Sequence, residues 1–218
     1  MTTKFLVSDL SPFGARLRIA AALKKVPATF EPAPGGSGSA EVKAINPFGQ
    51  VPIALVGGRP LVESQALLDY LEDLHPDAPR LRPADPAQAA RVRMIAMLFD
   101  NHAIKALGPM FVQLRSSPPD VKIIHGALDD MTAALEKLAT FLDADGPAVG
   151  GTMTNADCAM APFAWLIGTL APKFGVPSPF DRVPRLAAWW KHVSAVPEVA
   201  TVTDGMMKAL AAFMGAKK

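Results

Sequence analysis

The sequence predicts an α/β domain followed by an all-helical domain, and three observations support that prediction. The apolar pattern changes repeatedly over residues 1–75, which is typical of short strands alternating with helices. A proline-rich segment occupies residues 76–86. Beyond it, apolar residues recur at helical spacing. We therefore expect an α/β domain over 1–76, a linker over 77–85 and a helical domain over 86–218.

The first part of the α/β domain is expected to be a strand, a helix and a second strand. Residues 5–7 form a short apolar run, typical of a strand that is covered on both faces. Ser11 is a suitable helix N-cap, and Pro12 suits the first position of the helix. Residues 26–32 are a weaker extended stretch that leads into a flexible Gly-rich loop.

The second part is expected to be a helix, a hairpin and a helix, which completes the order β-α-β-α-β-β-α. A short helix over 40–45 is ended by Asn46 ahead of a proline. Residues 52–62 place a Gly-Gly pair between two apolar stretches, which indicates a β-hairpin. Leucines over 67–74 then recur at helical spacing until His75, which precedes another proline.

The helical domain is predicted from residues that commonly begin helices and from the helical spacing of its apolar residues. Its expected helices start at Asp85, Asp120, Thr154, Pro184 and Pro197, and we expect the first of them to end at Gly108-Pro109. Thr154 with Asp157 also matches a capping box, in which each side chain satisfies a backbone N–H at the start of the helix.

Composition excludes several classes of protein. Half of the residues are hydrophobic, 19% are charged and the net charge is +2, so neither disorder nor nucleic-acid binding is favoured. A single cysteine, Cys158, allows no intramolecular disulfide and no cysteine-based zinc cluster. The four histidines lack the spacing of metal ligands, so we expect no metal.

We also expect no membrane association and no secretion. The apolar stretch over 158–172 is too short to cross a bilayer as a helix and contains two prolines. Residues 1–9 lack the long apolar region and the cleavage site of a secretory signal. These features, together with the low cysteine count, predict a cytoplasmic protein.

Three short segments stand out as candidates for chemistry, although each also has an ordinary structural interpretation. Ser11 follows a buried strand at a helix start, where a serine is a common cap. Pro52 opens a strand, either as a turn residue or as a cis-proline that leaves the Val51 backbone free to pair with a ligand. Glu63 and Ser64 stand between a strand and a helix, where free N–H groups favour a carboxylate.

The order and spacing of these segments resemble the glutathione S-transferase family over essentially the whole chain. Ser-Pro-Phe-Gly-Ala-Arg-Leu-Arg-Ile-Ala-Ala from Ser11 resembles the active-site segment of the serine-type tau and zeta classes. Asn-Pro-x-x-x-Val-Pro resembles the cis-proline loop, and Glu-Ser-x-x-x-x-x-Tyr-Leu resembles the γ-glutamyl site. The resemblance implies a thioredoxin-like N-terminal domain, glutathione as cosubstrate and a homodimer, for which Phe48 is a candidate anchor.

The resemblance also implies roles for individual residues. Ser11 is implied as the catalytic residue, which donates its hydroxyl to the glutathione sulfur and favours the thiolate. The implied glutathione-binding residues are Phe13, Gln50, Val51, Pro52, Glu63 and Ser64. The pocket for a small apolar electrophile is implied to lie between the domains, with Phe99, Met110, Phe111, Leu114 and Trp165 as candidates.

Departures from the family's classes leave the reaction open. Omega enzymes have cysteine at the position of Ser11, so thiol transfer through the protein is disfavoured. In zeta isomerases an arginine on the sixth helix holds the substrate carboxylate, but Thr169 stands near that place, with Arg115 as a substitute. Arg16 either contributes positive electrostatic potential near the glutathione sulfur or is an exposed or interface residue.

Conjugation of glutathione to an apolar electrophile is therefore the expected reaction. The alternative within enzymes is a glutathione-dependent isomerase or lyase, such as a zeta-like isomerase, an ether-cleaving enzyme or a dehalogenase. The alternative outside enzymes is a non-catalytic module that binds ligands or proteins on the same fold.

Overall fold

A computed structural model of the protein describes residues 3–114 and 116–215, and for Met214 the backbone alone. The chain divides into two units. Unit 1 combines the chain up to Leu81 with the segment from Val196 onward, and unit 2 comprises Arg82–Ala195. The last helix is therefore grouped with the N-terminal unit, whereas the sequence analysis assigned it to the helical domain.

The predicted order of the first seven elements is confirmed. These elements are β1 (Thr3–Val7), α1 (Pro12–Lys24), β2 (Ala28–Pro32), α2 (Ala40–Ile45), β3 (Ile53–Val56), β4 (Arg59–Leu61) and α3 (Ser64–Leu74). The remaining helices are α4 (Pro86–Leu98), α5 (Gly108–Gln113), α6 (Val121–Ala139), α7 (Asn155–Leu170), α8 (Pro179–Arg182), α9 (Pro184–Val193) and α10 (Pro197–Gly215). An α/β fold followed by helices is thus the observed architecture.

The four strands form one mixed sheet in the order β2-β1-β3-β4. The central strand β1 pairs in parallel with β2, and Phe5 lies opposite Phe30. It pairs antiparallel with β3, and Leu6 lies opposite Ile53. Since β1 and β3 are neighbours, the turn that follows β1 and the loop that precedes β3 lie at the same edge of the sheet.

Helix α1 begins where the sequence predicts and packs tightly against β1. Ser11 is its N-cap, and the serine side chain accepts a hydrogen bond from the Gly14 backbone N–H at 3.5 Å. A Cβ atom at Gly14 would lie 3.2 Å from two side-chain atoms of Val7. Glycine at this position therefore allows the close approach of helix and strand.

A buried ion pair joins α1 to α3. The Lys24 ammonium lies 3.0 Å from a Glu72 carboxylate oxygen, and both side chains are almost fully buried. Lys24 also donates to the Pro79 carbonyl, and Glu72 accepts from the Leu81 backbone N–H. The pair thus fixes the segment that precedes Arg82, and each of its charged groups also makes a hydrogen bond to the backbone.

Unit 2 contains two short helices that the sequence did not predict, α5 and α8, and the helix before α5 changes its type. The helix that begins at Pro86 changes to π-helical hydrogen bonding over Phe99–Ile104. Gly108-Pro109 was expected to end that helix, but these two residues begin α5 instead. Proline suits the first turn of a helix because no intrahelical acceptor is available there for an N–H.

The core of unit 2 combines aromatic contacts with one buried carboxylate. Phe99 packs edge-on against Phe163, with ring centroids 5.7 Å apart, and Phe180 stacks on Trp189. Asp157 accepts hydrogen bonds from its capping-box partner Thr154, from the Ala148 backbone and from the indole of Trp189. Burial raises the pKa of Asp157, and these hydrogen bonds oppose that rise.

Two negative findings apply to residues 3–114 and 116–215. No helix there has both the length and the apolar character needed to cross a membrane. No group of three or more His, Cys, Asp or Glu side chains in that part of the chain is arranged to hold a metal ion.

Breaking the buried ion pair is expected to destabilise the protein strongly. Lys24→Met should lower the free energy of unfolding by about 3 kcal/mol, because the Glu72 carboxylate stays buried without its cation. The double variant Lys24→Met/Glu72→Leu should recover part of that loss, since it leaves no buried charge. Equilibrium denaturation in urea measures these differences.

The matched control is the exposed ion pair between Lys4 and Glu31, whose charged groups lie 2.8 Å apart. Lys4→Met should change the free energy of unfolding by less than about 1 kcal/mol, because water screens an exposed pair. A loss at Lys4 equal to the loss at Lys24 would contradict the prediction.

Candidate active site

A cavity of about 310 Å³ lies in unit 1, and we call it the N-terminal cavity. Three segments form it: the turn and first residues after β1, the loops on either side of α2, and the start of α3. Its lining residues are Ser8, Ser11, Phe13, Ser37, Asn46, Gln50, Val51, Pro52, Glu63 and Ser64. Residues far apart in the sequence therefore meet in one site.

Ser11 lines this cavity with a hydroxyl that is free to donate. Its oxygen accepts the Gly14 N–H at 3.5 Å, which is a weak hydrogen bond and leaves the hydroxyl proton unused by the cap. The Ser11 backbone N–H donates to the Ser8 carbonyl and fixes the turn. The hydroxyl lies at the N-terminus of a 13-residue helix, where a negative charge is stabilised.

The loop before β3 presents backbone and side-chain groups to the cavity. Asn46 is buried, donates to the Gln50 carbonyl at 2.9 Å and accepts from the Phe48 backbone N–H at 3.2 Å. These two hydrogen bonds define the shape of the loop. The Val51-Pro52 peptide bond is cis, which is one of the two forms that the sequence left open.

The start of α3 contributes Glu63 and Ser64. Glu63 has φ +69° and ψ +113°, a backbone conformation that side chains other than glycine rarely adopt. Such strain is retained where the surrounding structure requires it, often at a functional site. Glu63 makes no side-chain capping bond, so the first N–H groups of α3 remain available to a ligand.

Arg16 lies behind the cavity with no solvent exposure. Its guanidinium donates to the Ser64 hydroxyl at 3.0 Å and lies over the Phe13 ring, 4.8 Å from the ring centroid. The sequence analysis left open an exposed or interface position for Arg16, and the structure shows that it is buried instead. Arg115, the other arginine considered there, lies outside the described residues.

The structure brings all the predicted glutathione-site residues together. Ser11, Phe13, Gln50, Val51, Pro52, Glu63 and Ser64 all line the N-terminal cavity. Sequence reasoning did not assign Ser8, Ser37 or Asn46 to it. Asn46 belongs to the Asn-Pro-x-x-x-Val-Pro segment, which the sequence analysis did identify. Ser37 was expected in a flexible loop, and no sequence pattern pointed to Ser8.

The predicted second-substrate residues divide into two groups within unit 2. Phe99 and Met110 are fully buried, so neither can touch a bound molecule without a rearrangement. Phe111, Leu114 and Trp165 retain partial exposure. A separate cavity of about 650 Å³ in unit 2 includes none of these five residues in its described lining.

The charge of the N-terminal cavity fits a zwitterionic peptide. Glu63 is the one charged side chain among its described lining residues, and the other lining side chains are neutral. The Glu63 carboxylate suits an ammonium group, while the Ser64 hydroxyl and the N-terminus of α3 suit a carboxylate. An ammonium and a carboxylate group occur together on the α-carbon of an amino acid whose backbone amine and carboxyl are free.

Comparison with protein-family models shows which family this chain matches. Residues 6–79 match the family model described as the N-terminal domain of glutathione S-transferase. Residues 103–197 match the family model described as its C-terminal domain. The two models together cover more than half of the chain, in the order that the fold shows.

Individual relatives agree with the family models. The chain is 30% identical over 201 residues to a probable glutathione S-transferase GSTU1 of Oryza sativa subsp. japonica, covering 87% of this chain and 84% of that protein. It is 35% identical over 157 residues to maleylacetoacetate isomerase of Rattus norvegicus, covering 67% of this chain and 69% of that protein.

A solved structure supports the same assignment. The crystal structure of rice GST1 in complex with glutathione matches with a TM-score of 0.77 and 26% identity, covering 99% of this chain and 95% of that one. The chain belongs to the glutathione S-transferase family, and it is an enzyme of that family.

Proposed function

We propose that the protein activates the thiol of glutathione for attack on a small apolar electrophile. The observation that carries this proposal is the meeting of Ser11, the Val51 backbone and Ser64 in one cavity of suitable charge. Each matches a different part of the tripeptide: the sulfur, the cysteinyl main chain and the γ-glutamyl end. The complex of rice GST1 with glutathione supports the choice of tripeptide.

Ser11 is proposed as the catalytic residue. A free thiol has a pKa near about 8.5, so only a few per cent is ionised at neutral pH. Lowering that pKa by about two units requires about 2.7 kcal/mol of preferential stabilisation of the anion. A hydrogen bond from the Ser11 hydroxyl and the N-terminus of α1 together supply energies of that size.

The remaining lining residues are proposed to bind the rest of glutathione. Val51, next to the cis Pro52, pairs its backbone with the cysteinyl residue, as an added strand would. Glu63 accepts the γ-glutamyl ammonium, and Ser64 binds the neighbouring carboxylate. Gln50 also lines the cavity and donates to the glycyl carboxylate. Phe13 covers the sulfur.

The electrophile is proposed to be a small apolar molecule. Within unit 2, Phe111, Leu114 and Trp165 are the partly exposed apolar side chains among the predicted second-substrate residues.

Glutathione-dependent isomerisation is the second candidate, because the rat relative is a maleylacetoacetate isomerase. The same thiolate would add to the substrate and leave again after bond rotation. Thr169 argues against this reaction, since its hydroxyl donates to the Trp165 carbonyl and supplies no positive charge. Assays of apolar electrophiles and of maleylacetoacetate, each with and without glutathione, separate conjugation from isomerisation and from a non-catalytic module.

We further propose a cytoplasmic homodimer in which Phe48 is an anchor. The Phe48 side chain is 79% exposed, although the loop that carries it is held by the buried Asn46. A rigidly presented aromatic side chain is a common centre of a protein interface. The single cysteine, Cys158, is buried and forms no disulfide, which is compatible with a reducing compartment.

Removal of the Ser11 hydroxyl should suppress the thiolate. In Ser11→Ala, the ultraviolet thiolate absorption of bound glutathione at neutral pH should fall, and kcat/KM should drop by about 10- to 100-fold, because one hydrogen bond to a charged group is lost. Ser11→Thr keeps a hydroxyl and should retain most of the signal. An unchanged signal in Ser11→Ala would rule out activation by serine.

Removal of the Ser64 hydroxyl should weaken binding more than chemistry. Ser64→Ala is expected to raise KM for glutathione by about tenfold, the size of one hydrogen bond to a carboxylate, with kcat at saturation largely retained. Steady-state kinetics measure the two quantities separately. A fall in kcat with an unchanged KM would contradict the γ-glutamyl assignment.

Truncation of Phe48 should weaken the dimer. Phe48→Ala is expected to raise the dimer dissociation constant by about 30-fold, because an interface anchor contributes about 2 kcal/mol or more. Light scattering over a range of concentrations measures this constant. Met207→Ala removes another exposed apolar side chain and should have no effect. A wild-type protein that is monomeric at micromolar concentration would refute the homodimer.

A further inference from the structure

Ser8 is a polar residue of the N-terminal cavity for which the proposed function gives no role. It lines the cavity together with Ser11. Two other lining side chains without an assigned role are already used by the protein itself. The Ser37 hydroxyl donates to the Gly49 carbonyl at 3.4 Å, and the Asn46 side chain makes hydrogen bonds to the backbone of its own loop.

The Ser8 hydroxyl, in contrast, is available to a ligand. Within residues 3–114 and 116–215 it takes part in no hydrogen bond, and Ser8 is only partly buried. A serine hydroxyl has one proton to donate and two lone pairs to accept. A ligand atom in the cavity can therefore accept the Ser8 proton without breaking a contact to this part of the chain.

A short turn holds Ser8 next to Ser11. Strand β1 ends at Val7, and the Ser11 backbone N–H donates to the Ser8 carbonyl at 3.0 Å. A hydrogen bond between the last and the first of four residues closes a β-turn, whose end Cα atoms lie within about 7 Å of each other. The two serines thus stand at the two ends of one turn, and both line the same cavity.

Helix α1 fixes this turn in two places. A Cβ atom at Gly14 would lie 3.5 Å from the Ser8 carbonyl oxygen, so the first turn of the helix packs directly against the Ser8 backbone. Asp9, inside the turn, pairs with Arg18 of the same helix at 2.7 Å. Ser8 therefore belongs to a constrained segment, and its hydroxyl is held in place before a ligand arrives.

The chemistry of a thiolate gives a second hydroxyl a use. A sulfur anion has several lone pairs, and each hydrogen bond donated to the charged form lowers the pKa of the thiol. In the proposed function Ser11 donates one such hydrogen bond. A second donor from the same turn would lower the pKa of the thiol further.

From these observations we propose that Ser8 is a second catalytic hydroxyl, which donates a hydrogen bond to the glutathione sulfur alongside Ser11. This inference rests on the proposed function, in which the sulfur is bound at Ser11. The sulfur accepts one hydrogen bond from each serine, and the thiol proton leaves to water. Neither serine is ionised or covalently modified, because each acts only by stabilising the anion.

Titration of the thiolate absorption of glutathione bound to the full chain tests the proposal. In Ser8→Ala the ionisation constant of the bound thiol should fall about tenfold, because one of two hydrogen bonds to a charged atom is lost. Ser11→Ala should keep part of the thiolate signal at neutral pH, and Ser8→Ala/Ser11→Ala should lose most of it. Ser8→Thr retains a hydroxyl and should stay close to the wild type, whereas Ser8→Val, of the same shape, should behave like Ser8→Ala.

The pH dependence of kcat/KM separates a donor from a residue that only supports the turn. With 1-chloro-2,4-dinitrobenzene at saturating glutathione, Ser8→Ala should be about tenfold slower than the wild type below the pKa of the bound thiol. The difference should disappear at high pH, where the thiolate forms without the donor. A displaced turn would instead lower kcat/KM equally at every pH.

Ser37→Ala is the matched control for the titration. It removes another lining hydroxyl, one that already donates to the Gly49 carbonyl, and should leave the pKa of the bound thiol unchanged. Circular dichroism verifies that each variant folds. Alanine at Ser8 keeps the backbone hydrogen bond that closes the turn, since the Ser8 carbonyl is its acceptor.

The outcomes for Ser8 and for the proposed function are distinguishable. An equal ionisation constant in the wild type and Ser8→Ala, with a lower one in Ser11→Ala, would overturn the role of Ser8 and leave the proposed function standing. A loss of kcat/KM in Ser8→Ala of the same size at every pH would also overturn that role. A wild type without bound thiolate would overturn the activation of glutathione and the role of Ser8 with it.

Discussion

The N-terminal cavity depends on a charged side chain that water does not reach. Arg16 is fully buried, donates to the Ser64 hydroxyl and lies over the Phe13 ring. It thereby connects the start of α1, which carries Ser11, to the start of α3. Burying a guanidinium is costly unless its donors are satisfied, so the two helix starts must stay where those contacts are made. The distance between Ser11 and Ser64 is set in this way.

The sheet positions the loop before β3, which forms another wall of the N-terminal cavity. Because β1 lies between β2 and β3, the turn after β1 and the loop before β3 lie at one edge of the sheet. Asn46 then shapes that loop through hydrogen bonds to the backbone at Gln50 and Phe48. At the far end of α1 and α3, the ion pair of Lys24 with Glu72 joins the same two helices. The site therefore rests on hydrogen-bonded polar contacts at both ends of one helix pair.

Sequence reasoning predicted the features that depend only on residues close together in the sequence. Ser11 before Pro12 is a helix start in any context, and the Thr154 capping box formed as predicted. It did not foresee the burial of Arg16, for which an exposed or interface position was one of the two expectations, because the burial of a charged side chain depends on distant partners. An amphipathic period likewise shows that a face of α10 is buried but not which surface covers it.

The turn between β1 and α1 is shared by two cavities of unit 1. Ser8 and Ser11 line the N-terminal cavity, while Asp9 pairs with Arg18 and lines a second cavity, of about 440 Å³, against α10. One short turn thus borders two different cavities. The Ser11 backbone N–H donates to the Ser8 carbonyl and closes this turn, so Asp9 is held between two residues of the N-terminal cavity. The position of the Ser11 hydroxyl is therefore constrained from the side of α10 as well as from the side of α3.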